Sequence, residues 1–314
     1  MQPADGAGFA ATPQSEARRG LRVARLVVGY DGSDSANAAA AFGLWLAGTT
    51  GCDATVVHAG ATPETVASAD LLPAAAQQVV AYEREWQWRL ENLREYAAED
   101  AAVSFRVVRG SPAGVLVAAA VDSGADVVLV GSHGVSRIGG ALLGSVSSEV
   151  LDHAPCSVMV FRDVEAPEPA SHAGAIVVGI DGSPSSQLAL ELAQALAVPL
   201  GARLVLVHAY SPHIPFALMT TEGVHDMLRR HGHELLGAAG AAVAAPLEIV
   251  DEVVEGPARE ALVAACERHA PAMLMVGTRG LGGFKGLLLG STSRWVVNNA
   301  PCPVLVARRS PLEP

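Results

Sequence analysis

The sequence predicts an α/β protein made of two tandem copies of one Rossmann-like domain, each a parallel sheet flanked by helices. Three observations predict it. Short Val/Ile/Leu runs alternate with helical patterns, which is the signature of βαβ units with right-handed crossovers. The whole alternation occurs twice. Apolar residues make up 50% of the chain and aromatics only 4%, so Ala, Val and Leu must fill the cores. That suits strands buried on both faces of a parallel sheet. The 314 residues are enough for two domains at roughly 100–200 residues each.

The repeat is legible residue by residue. Leu26–Ser33 (LVVGYDGS) returns as Ile176–Ser183 (IVVGIDGS), and Val128–Gly134 (VLVGSHG) as Leu274–Gly280 (LMVGTRG). Ala154–Val160 (APCSVMV) returns as Ala300–Val306 (APCPVLV). Asp31 to His58 and Asp181 to His208 are both 27 positions, and Gly144 to Pro155 and Gly290 to Pro301 are both 11. Units of this length are duplicated domains, not solenoid repeats. The division is a mobile tail over 1–22, a domain over 23–162, a Pro/Glu/Ala-rich linker over 163–174 and a domain over 175–310.

In the first copy, strands are expected near 25–30, 54–59, 103–108, 126–131 and 157–161. Helices are expected near 34–48, 76–98, 112–123 and 146–153. Trp86, Leu90 and Leu93 lie at helical spacing and read as one core-facing stripe. In the second copy Ser211–Ala217 holds two prolines and must begin as a loop. Strand 5 of each copy is short, apolar and expected at a sheet edge, which a soluble protein must cover. Pairing the two makes an intramolecular pseudo-dimer, with a homodimer as a further option.

Ligands of doubly wound sheets sit beyond the carboxyl ends of the strands. Two motifs occupy such ends in each copy. Asp31-Gly32-Ser33 and Asp181-Gly182-Ser183 follow strand 1. After strand 4 comes Gly131-x2-Gly134, nine residues, then Gly144-Ser145; the second copy has Gly277-x2-Gly280, nine residues, then Gly290-Ser291. Glycines let backbone approach an anion and adopt positive φ, and a helix opening there offers unpaired N–H groups and a positive dipole end. Ser145 or Ser147, and Ser291, Thr292 or Ser293, add hydroxyls; Arg137, Arg279 and Lys285 add charge. Together these make a phosphate cradle. The same pattern present twice is far more specific than a lone GxxG. His58 and His208, at the ends of strand 2, read as imidazoles bonded to backbone. His133 is replaced by Arg279 in the second copy, which argues against a shared catalytic role.

The pattern G-x2-G-x9-G-[S/T], between an opening VVGxDGS strand and a closing APCxVxV strand, resembles the universal stress protein family in its tandem, actinobacterial-type form. The resemblance covers nearly the whole chain. It implies a fold like the adenine nucleotide alpha hydrolases, with five parallel strands in the order 3-2-1-4-5, and ATP at the strand ends. It assigns Asp31 and Asp181 to the ribose and metal, and Ala59 and Ala209 to the adenine, where the family often has Val. It assigns Gly131, Gly134, Gly144 and Ser145, and Gly277, Gly280, Gly290 and Ser291, to the phosphates.

Composition narrows the function. The formal charge of −11 leaves no general basic face, which argues against nucleic acid. No run reaches the ~18 apolar residues of a membrane span, and no secretory leader is visible. Cys52, Cys156, Cys266 and Cys302 show no CxxC or metal spacing, as in reduced cytoplasmic proteins. There is no Walker lysine and no GxGxxG after strand 1. The expectation is an ATP-binding protein, with Mg²⁺, acting in stress response or signalling through partner or oligomer choice. A slow Mg-dependent ATPase is the alternative.

Overall fold

Strand β1 (Arg25–Gly29) enters at the centre of the first sheet, where Val27 and Val28 are fully buried on opposite faces. It is followed by α1 (Asp34–Thr50), β2 (Asp53–Gly60), α2 (Pro73–Asn92) with a 3-10 turn at Leu93–Tyr96, and β3 (Val103–Arg109). Then come α3 (Pro112–Ser123), β4 (Val127–Gly131), α4 (Ser145–His153) and β5 (Ser157–Phe161). The second copy runs β6 (Ala175–Gly179), α5 (Pro184–Leu200), β7 (Arg203–Tyr210), α6 (Thr221–Ala241) and β8 (Ile249–Glu255). It closes with α7 (Ala258–His269), β9 (Met273–Gly277), α8 (Ser291–Asn299) and β10 (Val304–Ala307). This computed structural model describes residues 22–60, 73–134, 143–162, 174–211, 221–280 and 289–309. The N-terminal tail, nearly all of the linker, the two-proline segment after Ser211, Arg137 and Lys285 lie outside the described residues.

Each copy has the strand order 3-2-1-4-5 with parallel neighbours, and the two halves form one ten-stranded sheet, β3-β2-β1-β4-β5-β10-β9-β6-β7-β8. Two apolar layers, one on each face, run through both copies: Leu26, Val28, Ile176 and Val178 belong to one, Val27, Val128, Val177 and Leu274 to the other. Among the described residues, no helix is long and apolar enough to cross a membrane.

The halves meet at the strands expected to be edges. β5 and β10 pair antiparallel, with Val158 opposite Val306, Met159 opposite Leu305 and Val160 opposite Val304. The arginine just after each strand reaches into the other half. Arg308 donates from Nη2 to Leu151 O at 2.7 Å and from Nη1 to Ala154 O at 2.5 Å, at the end of α4. Arg162 Nη1 donates to Asn298 O at the end of α8. Both place a cation on the carbonyls a helix C-terminus cannot pair itself. Arg294 adds an ion pair with Asp152 at 2.7 Å. A chain cut to residues 1–165 bares the five buried residues of β5 and is expected to self-associate. Sedimentation at rising concentration checks this; a persistent monomer is the contrary result.

Candidate functional site

The turn after strand 1 is the first part of each site. Gly32 and Gly182 have φ of 81° and 80°, a left-handed conformation that costs glycine nothing. The turn brings Ser33 N–H to Asp31 Oδ1 and Ser183 N–H to Asp181 Oδ1, both at 3.0 Å. Ser33 and Ser183 then cap α1 and α5 by accepting from Ala36 N at 3.3 Å and Ser186 N at 3.2 Å.

The glycine pair after strand 4 is needed because these elements crowd together. A Cβ on Gly131 would sit 2.9 Å from Ala36 N, and one on Gly277 would sit 2.7 Å from the carbonyl carbon of Ser185. The loop is thereby pressed against the helix that follows strand 1. A Cβ on Gly134 would lie 2.8 Å from Asp31 Oδ2, and one on Gly280 closer still to Asp181 Oδ2. In each copy the strand-1 carboxylate and the second loop glycine therefore share one spot. The loop carbonyl between them is tied down: His133 O accepts from Ser35 Oγ at 3.0 Å, and Arg279 O accepts from Ser185 Oγ.

One expectation is corrected at the helix openings. Gly144 and Gly290 do not use positive φ; they are helix caps at φ −60°, ψ 156° and φ −68°, ψ 156°, which any residue adopts. Their constraint is steric. A Cβ would stand 3.0 Å from Ser132 O in the first copy and 3.2 Å from Thr278 O in the second. Each glycine N–H donates to that same carbonyl at 2.7 Å. The amides of the next three residues begin a helix and have no carbonyl one turn back. Of the candidate hydroxyls, Ser147 and Ser293 are buried and donate to Gly131 O at 2.5 Å and Gly277 O at 2.7 Å. Ser145 and Ser291 are exposed and Thr292 half-buried.

In the second domain these parts surround a cavity of about 300 Å³. Asp181, Ala209, Gly277, Gly280, Gly290 and Ser291 all line it, so the six positions expected there converge. Arg279 supplies a cation, and Leu262 of α7 an apolar wall that the sequence reading missed. In the first domain Asp31 meets Gly134, and Gly144 meets Ser132, as described. Ser145 opens α4. Ala59 is half-buried near the end of β2, opposite Val108 of β3.

The rim of the first site carries an aromatic group the sequence did not reveal. His58 Nδ1–H donates to Tyr30 O at 2.9 Å, and Nε2 lies 2.9 Å from the Tyr82 hydroxyl. His208 Nδ1 makes the matching bond to Ile180 O at 2.8 Å. The backbone-bonded reading of both histidines holds. Trp86 does not join Leu90 and Leu93 in the core. It stacks on His58, with centroids 3.6 Å apart and planes at 10°, and stands against Gly32. Leu235 takes the place beside Gly182 in the second copy. Helical spacing cannot separate a core stripe from a site rim, since both lie on the buried side of the helix.

Burial pushes the His58 imidazole below its usual range, an effect to which Arg89 adds and which Tyr30 O and Asp31 oppose. The unfolded chain therefore takes up this proton first as pH falls. The stability linked to His58 is complete above its ordinary pKa of about 6.5 and declines as pH drops below it. His58→Gln is expected to flatten the fall in Tm between about pH 7.5 and 5.5; an unchanged slope would exclude His58 as the source.

Comparison with known proteins agrees with this architecture. The universal stress protein family profile matches residues 23–162 and 173–308. Universal stress protein Rv2005c of Mycobacterium tuberculosis is 33% identical over 309 residues, spanning 91% of this chain and 97% of its own. Rv1996 of the same organism is 37% identical over 201 residues, 58% of each chain. Among solved structures, a universal stress protein from Archaeoglobus fulgidus superposes with a TM-score of 0.65 at 21% identity, covering 93% of this chain and 98% of that one. At that identity the superposition speaks for the fold alone. The doubled profile and the full-length likeness settle the family: this chain belongs to the universal stress proteins, as a tandem two-domain member.

Proposed function

We propose that each domain binds one adenine nucleotide, ATP with Mg²⁺, and that nucleotide state selects a protein partner or oligomer in stress response or signalling. The second-domain cavity carries this reading. Its polar lining joins a helix opening, Ser291, Thr292 and Arg279, which suits a polyphosphate. Its apolar lining, with Val207, Ala209 and Leu262, suits a purine. Asp181 is the carboxylate in the same lining and would take a hydroxyl or a hydrated cation. The first domain offers the same parts with His133 in place of Arg279, so the second site is expected to bind more tightly. Bound Mg²⁺ would offset phosphate charge; the chain itself supplies amides, hydroxyls and the Asp31 or Asp181 carboxylate. A cytoplasmic location is inferred from four buried free thiols.

Calorimetry with ATP, ADP and AMP is expected to show up to two sites per chain. Denaturing the purified protein and identifying the released nucleotide by absorbance and chromatography tests the same claim. No heat with any of the three at millimolar concentration would overturn it. The slow Mg-dependent ATPase remains the second reading, favoured by the placement of the Asp31 and Asp181 carboxylates beside the loops. A turnover assay separates the two.

A further inference from the structure

The helix α8 touches both sites. Its first turn, Ser291 to Ser293, lines the second-domain cavity. Its last turn lies at the junction of the halves, where Asn298 Oδ1 accepts from Leu143 N–H at 2.9 Å. Leu143 immediately precedes Gly144, the cap of α4 in the first domain's phosphate loop. The Asn298 amide is itself fixed, since Nδ2 donates to Arg294 O at 2.7 Å. Arg294 in turn holds Asp152 at 2.7 Å, and Arg162 donates to Asn298 O. The bond is therefore made by an oriented acceptor on a braced helix.

We infer that Asn298 of the second domain is a positioning residue for the first domain's nucleotide site, acting through the Leu143 N–H to set the loop at Gly144. This inference rests on the phosphate-loop reading proposed above. Two consecutive amides are fixed from different sides. Leu143 N–H is taken by Asn298, and Gly144 N–H by Ser132 O at 2.7 Å. With both held, the amides of Ser145, Val146 and Ser147 are aimed before a ligand arrives, and pre-aimed donors bind without an ordering cost. Among the described residues the arrangement is one-sided. The repeat equivalent of Asn298 is Asp152, and it is engaged by Arg294. The first site thus depends on the docked second half.

The test uses the full chain, with Mg·ATP titrated calorimetrically into wild type, Asn298→Ala and Asn298→Asp. Single-site variants Gly134→Ala and Gly280→Ala assign each affinity to its domain. Asn298→Ala is expected to weaken the first site about tenfold, the equivalent of about 1.4 kcal/mol, and to leave the second within twofold. Asn298→Asp keeps an acceptor for the Leu143 N–H and is expected to restore the first site to within about threefold of wild type, although it loses the bond to Arg294 O. Tm without nucleotide is measured on all three. An unchanged first site in Asn298→Ala overturns the inference. So does equal weakening of both sites, or of both variants, since that is the mark of a merely structural residue. Absence of any binding to wild type would remove the nucleotide reading itself, whereas binding at two sites with no selective loss removes only the role of Asn298.

Discussion

Arg308→Ala is expected to lower the stability of the chain by about 3 kcal/mol, among the larger effects a single substitution outside the apolar core can have. The guanidinium lies half-buried at the junction and reaches three carbonyls at the end of α4: Leu151 O at 2.7 Å, Ala154 O at 2.5 Å and Asp152 O at 3.4 Å. Removal leaves these acceptors without their donor at a half-buried seam. An unsatisfied buried polar group costs about 1–3 kcal/mol, and bonds to a charged donor lie at the upper end. The costs do not add fully, because water can enter at the exposed side. At roughly 2–4 °C per kcal/mol for a large domain, Tm is expected to fall by about 6–12 °C. Arg309→Ala is the control: its side chain is exposed, and a change within about 0.5 kcal/mol is expected. Equal melting temperatures for the two variants would show that the cap contributes nothing. Arg308→Lys should fall between, since an ammonium is a point donor and cannot fork over several carbonyls.

The fold was legible because its signals are local and doubled. Val/Ile/Leu runs mark strands buried on both faces, and agreement between the copies removes most ambiguity about where each begins. The union of β5 and β10 follows from a negative argument: two short apolar edges in one chain are a liability unless they are covered. The grouping of the second copy's motif residues was legible, since Asp181, Ala209, Gly277, Gly280, Gly290 and Ser291 all line one cavity. What was not legible depends on contacts between distant segments. Trp86 has the spacing of a core residue, and only the packing of α2 over His58 makes it a rim. Ser147 and Ser145 are the same distance from expectation in sequence, yet one hydroxyl is spent on Gly131 O and the other faces out. Asn298 lies 155 positions from Leu143, beyond any motif. The glycines carry the sharpest lesson. Their presence announced a tight loop, but the reason for each is a different neighbour, and the expected left-handed backbone belongs to Gly32 and Gly182 instead.

Gly280→Ala is therefore expected to do more to the second site than Gly290→Ala, and to do it without unfolding the domain. The new methyl falls where Asp181 Oδ2 now lies. A side chain can yield where a backbone cannot, so Asp181 turns away and releases Ser183 N–H. The loop and β9 keep their course. The site then loses the carboxylate that lines it. Loss of one charge-assisted contact is worth about 1.5–3 kcal/mol, or roughly 10- to 150-fold in Kd at 1.4 kcal/mol per tenfold. The loss should be confined to the second site, and should shrink when Mg²⁺ is withheld if Asp181 acts through the cation. Gly134→Ala is expected to act the same way on the first site, where the methyl would stand 2.8 Å from Asp31 Oδ2. Gly277→Ala sets the contrast, because its methyl meets the backbone of Ser185 at the start of α5. That variant should lower Tm by several degrees, since the strand end and the helix cannot both stay in place. Gly290→Ala crowds a single carbonyl at 3.2 Å, so a shift of a few tenths of an ångström accommodates it and a smaller loss of affinity follows. Titrations with and without Mg²⁺, beside melting curves free of nucleotide, order the three variants. Unchanged affinity in Gly280→Ala would take Asp181 out of the site; a collapse in Tm of the size expected for Gly277→Ala would mean that this glycine only holds the loop together.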